Sequence, residues 1–281
     1  MSKRILSLVC IVLLVSLISG CGSSGGGTSG GSSTGGGASS TSTGGVATQS
    51  VDDFVSLTVG ISDYLGRFIQ GLTPTESWAA CDGVYDAIFK VDPATKSIFS
   101  DCLEDWYYED EVTLIMKLKE NVYFSNGMHA TAEDLLYSYT SIIDRGSSQR
   151  TGIGPIIWDE CKVIDEYTVE LKFERPYRPF INVMVYLLCK EWSLSLANGW
   201  EDMAWYYPVG SGPYEVTEFS SEELIKMRAR DNYWNAEERG PVYVDEWILQ
   251  FYKNYSTMYM DLEIGNIAFA EIQAYISGCR A

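Results

Sequence analysis

A single histidine, His129, serves the whole 281-residue chain. One imidazole cannot build a His-rich metal centre, and it is a poor basis for a His-dependent triad. His129 follows a turn signal and precedes a helix start, so a surface position is expected. Of seven cysteines, none are spaced as CxxC, and their intervals match no metal pattern. Cys81, Cys102, Cys161, Cys189 and Cys279 are expected to be buried or partly buried free thiols, with one or two bridges left open for an exported protein. Glu104-Asp105 and Glu109-Asp110-Glu111 lack the spacing and glycine of an EF-hand loop and read as a solvated acidic face. A carboxylate-dependent hydrolase is compatible with the acidic charge and the many Trp and Tyr, but no acid/base pair is marked. No catalytic residue, metal ligand or cofactor site is therefore assigned.

These residues need a body to position them. All 8 Trp, 19 Tyr and 10 Phe lie beyond residue 50, ample material for a sizeable core. The formal net charge of −18 becomes −20 once Lys3 and Arg4 are set aside with a leader. A surface that acidic repels phosphate backbones and argues against a nucleic-acid partner. No second hydrophobic span follows the first, which excludes a multi-pass membrane protein.

The front of the chain reads as an address. Lys3 and Arg4 precede an apolar run, Ile5–Ile18, then small residues. That is the layout of an export signal over residues 1–20, and the run is shorter than the ~20 residues a membrane span needs. Ile18-Ser19-Gly20-Cys21 resembles a bacterial lipobox. By that resemblance Cys21 is the lipidated first residue of the mature protein; the alternative is an ordinary signal with an incidental cysteine. Residues 21–50 form a Gly/Ser/Thr-rich tether without charge or aromatic residues. Such a coil reaches roughly 30 Å, enough for a body over residues 51–281 to move above a membrane while staying near it.

Within the body, Ser56–Ile61 reads as a strand. Thr75 or Ser77 can cap a helix reaching about Phe89. Val112–Lys119 and Tyr167–Phe173 alternate as strands. Ser125-Asn126-Gly127 is a turn, and Thr131-Ala-Glu-Asp134 a capping-box variant opening a helix that carries Leu135, Leu136, Tyr139, Ile142 and Ile143. Pro176 and Pro179 lead into a short apolar helix over Phe180–Leu188. Gly210–Tyr214 is a tight turn into the strand pair Tyr214–Phe219 and Glu223–Arg230. Val244–Phe251 is a strand, Ser256 caps a helix ending near Gly265, and Ile267–Ile272 is a last strand. Strands interleaved with helices predict an α/β fold with a mixed sheet.

Four segments in order resemble the extracellular solute-binding proteins of ABC importers, family 5, the oligopeptide/dipeptide-binding type. They are Leu103–Trp106 with Met116–Gly127; Thr131–Tyr139; Gly210–Val216 continuing to Arg230–Trp234; and Val244–Trp247 with Leu262–Gly265 and Ile267–Glu271. Asn126 stands where that family usually has Asp, and Asn266 where it usually has Glu. The resemblance implies a type II periplasmic-binding-protein-like first lobe. Members of the family are about twice as long as this body and close two lobes on a ligand. The second lobe is thus expected to be missing, as in a truncated product or one whose partner supplies the other half, with weak or no ligand binding by this chain alone.

The same resemblance implies a lipid-anchored, non-enzymatic component that captures peptides or related solutes for an ABC permease on the outer face of the cell membrane. It places Thr73, Thr75, Glu76 and Trp78 on a cleft-lining loop, where Trp78 offers a stacking face and Glu76 meets an amine. Phe269, Ala270 and Glu271 are the second expected contact. The structural alternatives are a helix cap at Thr75 or Ser77, a core position for Trp78 and a solvated Glu271. Gly210, Gly212, Pro213 and Tyr214 are read as turn-shaping, and Trp205-Tyr206-Tyr207 as packing. Competing functional readings are the carboxylate-dependent hydrolase and a surface lipoprotein without a transport role.

Overall fold

A computed structural model describes residues 54–62, 68–69, 78–220 and 222–270. All of these belong to one unit, Phe54–Ala281. In chain order the first elements are β1 (Ser56–Ile61), α1 (Trp78–Val84), β2 (Lys90–Val91), β3 (Ile98–Phe99), β4 (Leu103–Tyr108), β5 (Thr113–Leu118) and α2 (Ala132–Asp144). There follow β6 (Lys162–Val163), β7 (Thr168–Lys172), α3 (Lys190–Ser195), β8 (Tyr214–Ser220) and β9 (Leu224–Ala229). The last are α4 (Ala236–Arg239), β10 (Glu246–Phe251), α5 (Tyr255–Glu263) and β11 (Phe269–Ala270).

The central sheet has the order β11-β1-β10-β9-β8. β1 runs parallel to β10 and to β11, while β10, β9 and β8 pair antiparallel. This is the mixed α/β sheet that the alternation of elements predicts. A second sheet, β4-β5-β7-β6, is wholly antiparallel. Its edge strand β4 exposes Glu104, Asp105 and Tyr107, and charges on an edge discourage pairing with another chain.

Each sheet has its own core. Leu135, Tyr139 and Ile142 on α2 meet Leu114 and Met116 of β5 and Val169 and Leu171 of β7 in one buried cluster. Cys81 and Val84 of α1 join Ile61, Val216, Ile225, Met227 and Leu249 in the other. The capping box on α2 is present: Asp134 Oδ2 accepts from Thr131 N at 2.9 Å and from Thr131 Oγ1 at 3.0 Å. Just past the Arg145 C-cap of α2 stands Gly146, whose φ of +64° suits a residue without a Cβ.

Three elements depart from the sequence reading. α1 stops at Val84 rather than near Phe89, because the Val84 carbonyl accepts from Gly212 N at 2.9 Å. The stretch Phe180–Leu188 is not a helix. After a short 3-10 turn, Arg178–Asn182, it runs extended, and Ile88 N donates to Val185 O at 2.7 Å while Leu187 N donates to Asp86 O at 2.9 Å. The residues expected to prolong α1 and those expected to form the later helix thus pair with each other, with Ala87 opposite Tyr186. Finally, Asn254 caps α5 instead of Ser256: its side chain accepts from Ser256 N at 2.7 Å.

Candidate functional site

In open α/β sheets ligands gather outside the carboxyl ends of parallel strands, where backbone and loops leave a crevice. Here that edge is formed by Ile61, Phe251 and Ala270. Tyr252 N donates to Ile61 O at 2.8 Å, which locks the exits of β1 and β10 together. Immediately beyond, Tyr255 hydroxyl donates to Ser62 Oγ at 3.2 Å, and the Tyr255 and Tyr259 rings stack at 6.5 Å. Tyr255 is 40% exposed. Tyr252 hydroxyl donates to Asp261 Oδ2 at 2.7 Å, and burial together with this carboxylate pushes the phenol up to about 12. The edge therefore presents hydroxyls and aromatic faces, a surface suited to a polar solute with apolar parts.

Phe269 and Ala270 reach this edge. They pair with Val59 and Gly60, so β11 lies beside the last residues of β1. Both are half-buried. Gly60 leaves little room behind them: a Cβ there would stand 2.6 Å from Ile267 Cδ1 and 2.8 Å from Met258 Cγ, so those side chains would have to shift. Trp78 opens α1, whose Cys81 and Val84 share a core cluster with Ile61. Thr73, Thr75, Glu76 and Glu271, like Cys21, lie outside the described residues. Ser62, Tyr252 and Tyr255 were not singled out in the sequence; the signal was only that they follow two strands that turn out to be parallel neighbours.

Between β1 and α1 the chain is tied down at Phe68. Its N–H donates to Trp205 O at 3.1 Å and its carbonyl accepts from Tyr85 hydroxyl at 2.7 Å. Trp205 is fully buried and packs edge-on against Trp192 at 4.9 Å. Tyr206 stacks on Phe219 at 4.2 Å, whereas exposed Tyr207 accepts from Phe219 N. The expected packing role therefore holds for Trp205 and Tyr206, while Tyr207 faces outward.

Gly210 and Gly212 shape more than a turn. A Cβ on Gly210 would lie 2.1 Å from Val84 O, and one on Gly212 would lie 2.6 Å from Gly83 O. The loop can press on the end of α1 only because both positions lack side chains. Beneath it, Arg230 Nη1 donates to the carbonyls of Gly212 at 2.9 Å and Gly210 at 3.3 Å. Asp86, fully buried, accepts from Tyr233 hydroxyl at 3.1 Å and Trp234 Nε1 at 3.0 Å. Burial pushes the Asp86 carboxyl above its ordinary range. The Gly-Ser-Gly-Pro-Tyr and Asn-Tyr-Trp segments thus meet in one buried polar network rather than at the sheet edge.

His129 is half-buried, not simply on the surface. Its ring stacks on Tyr123 at 4.7 Å, and Nε2 donates to the Glu120 carbonyl. Cys81, Cys102, Cys161 and Cys189 carry thiols rather than disulfides. Burial, first of all, pushes Cys102 up to about 12 and Cys189 up to about 11. Among the described residues no three His, Cys, Asp or Glu side chains converge on a metal position. No described helix is long and apolar enough to cross a membrane.

Residues 92–276 match the model of the bacterial extracellular solute-binding proteins, family 5 Middle. The chain is 25% identical over 167 residues to the glutathione-binding protein GsiB of Escherichia coli (strain K12), a match covering 57% of this chain and 31% of that protein. GsiB of Shigella boydii serotype 4 (strain Sb227) gives the same figures, 25% over 167 residues. The chain therefore spans about a third of the length of the curated relatives it matches. Among solved structures, the periplasmic binding protein DppA from Helicobacter pylori in complex with peptide STSA aligns with a TM-score of 0.65 at 23% identity, over 75% of this chain and 45% of that one. The oligopeptide-binding protein AppA from Bacillus subtilis in complex with a nonapeptide gives 0.66 at 20% identity, over 75% and 43% of the two chains. These likenesses establish a binding-protein fold of the type expected from the four segments. With the family model matching well over half its length, the chain belongs to the bacterial extracellular solute-binding proteins, family 5.

Proposed function

We propose that this chain captures a peptide or a related small solute for an ABC permease, and that the solute meets the carboxyl edge of the central sheet. The observation that carries the proposal is the convergence of Phe269–Ala270, Ser62 and Tyr255 at the exits of three parallel strands. Hydroxyls there can bond a peptide backbone, and the tyrosine faces can hold apolar side chains. GsiB is a glutathione-binding protein and the DppA and AppA structures hold peptides, so short peptides are the first solutes to try. The edge supplies one wall of a cleft; binding proteins of this kind enclose their ligand between two.

We further propose that Cys21 carries lipid and that the tether from Gly22 to Ser50 keeps the body near the outer membrane face. Mass spectrometry of the amino-terminal peptide checks this directly, with a diacylglyceryl group on Cys21 as the expected result and an unmodified thiol against it.

The binding reading is tested by melting the protein with glutathione and with a di- to pentapeptide library at millimolar concentration. A ligand that binds only the folded state raises the melting temperature. A shift that disappears in Tyr255→Ala supports the edge as the site. No shift with any peptide removes the capture role from this chain.

A further inference from the structure

Two sulfurs meet away from the sheet edge. Cys189 Sγ lies 3.8 Å from Met128 Sδ, and both residues line an open surface pocket of about 280 Å³. We propose that this pair binds a soft monovalent cation, Cu(I).

Thiolate and thioether together select Cu(I), whereas a neutral thioether is a poor ligand for hard cations. Geometry agrees. With metal–sulfur bonds of about 2.3 Å, sulfurs at this separation subtend about 110° at a shared ion, between trigonal and tetrahedral coordination. The remaining position faces the pocket, where chloride or a small thiol from solution completes the shell. Glu133, Asp134 and Glu191 line the pocket together with Lys190, whose ammonium is paired with Glu133 at 2.5 Å, so the lining keeps a net negative charge. The His129 ring is already engaged with Glu120 and Tyr123, so it is not counted as a ligand.

Both ligands sit on anchored backbone. The Met128 N–H donates to Asn126 Oδ1 at 3.0 Å, and its carbonyl accepts from Phe124 N at 2.9 Å. The Cys189 carbonyl accepts from Ser193 N at 3.0 Å and from Ser193 Oγ at 2.7 Å. A site held this way loses little freedom when it fills. Cys102 and Cys161 differ: their sulfurs lie beside the Ser100 hydroxyl and the Ile157 carbonyl, at 3.7 Å and 3.4 Å. Binding is a ligand exchange without redox change. Cys189 gives its S–H proton to solvent, each sulfur donates a lone pair, and the ion leaves its carrier.

The test titrates the reduced full chain with Cu(I) held by bicinchoninate as a competing chelator. One ion per chain is expected to transfer. Met128→Leu, which preserves volume, is expected to bind at least tenfold more weakly with an unchanged melting temperature. Cys189→Ser is expected to lose transfer, and Cys161→Ser to keep it. Wild-type affinity in Met128→Leu overturns the proposal, as does transfer that survives Cys189→Ser or is lost in Cys161→Ser.

Discussion

Asp134 and Lys190 are 56 positions apart, yet Asp134 Oδ1 accepts a 2.7 Å hydrogen bond from Lys190 N while Oδ2 serves Thr131. One buried carboxylate therefore caps α2 and fixes the entry to α3. Asp134→Ala is expected to cost about 2–4 kcal/mol, since it removes a cap and strands charge-assisted donors. Asp134→Asn is expected to cost less, because one oxygen remains. Urea unfolding midpoints of the two variants check the order; equal midpoints would show that the cap carries no such weight.

The glycines of the 210–212 loop predict a contrast. Gly212→Ala places a Cβ 2.6 Å from Gly83 O, a backbone atom that cannot swing aside. A loss above about 3 kcal/mol is expected, as for other substitutions that force a packed backbone apart. Gly127 has φ +82° but nothing within 4 Å of a Cβ. Gly127→Ala should cost only about 1 kcal/mol, the strain of the left-handed region. Denaturant curves on the pair decide whether close approach or backbone conformation matters more here.

Asp101 predicts a pH dependence. Burial opposes its ionisation, but Lys90 Nζ at 2.6 Å and Arg239 Nη2 at 3.6 Å outweigh burial and hold the carboxyl below its usual value. The resulting stability is present above the unfolded value of about 3.9 and is lost as pH falls through the depressed folded value. Asp101→Asn should cost about 3 kcal/mol at neutral pH, with wild type and variant converging in strong acid. Asp86 works in the opposite sense: its raised carboxyl favours the folded state at low pH and weighs against it as pH rises. Stability against pH for the two proteins shows whether the gap closes on the acid side.

The four described thiols predict an order of labelling. Cys161 is half-buried, while Cys81, Cys102 and Cys189 are buried. Native protein should therefore react with a thiol reagent at Cys161 well before Cys81 and Cys102, which become available only on unfolding. Peptide mapping after a short pulse reads the order directly. Early labelling of Cys102 would contradict its place in the core.

Tyr255 predicts a separation of binding from stability. Its ring is largely at the surface, so Tyr255→Phe, which removes the bond to Ser62, should shift stability by no more than about 0.5 kcal/mol. Under the proposed function the same change should weaken solute binding several-fold. Calorimetry on wild type and variant, with a peptide that shifts the melting temperature, measures it.

Local rules were legible where a residue's partners are close in sequence. The Thr131–Asp134 capping box is one case. The pairing of β8 with β9 is another. Legibility failed where distant backbone supplies the partner. Val84–Phe89 continues a helical apolar pattern, and Phe180–Leu188 is an apolar run that periodicity alone cannot assign to helix or strand. Asp86–Ile88 and Val185–Leu187 leave the helical path because each is there to bond the other. The sheet edge was half legible: Phe269 and Ala270 came from the resemblance, but Ser62 and Tyr255 become neighbours only through the parallel pairing of β1 with β10.

That pairing also has a consequence in time. Ser56 aligns with Glu246, 190 positions later, so the first strand has no principal partner until nearly the whole body has been synthesised. At ordinary translation rates the wait is on the order of 10–40 s. The antiparallel sheet β4-β5-β7-β6 closes from within residues 103–172 and can consolidate during that interval. Folding is thus ordered by topology: the antiparallel sheet first, and the central sheet last, once its long loop is closed. Throughout that interval Val59 and Ile61 remain without their sheet.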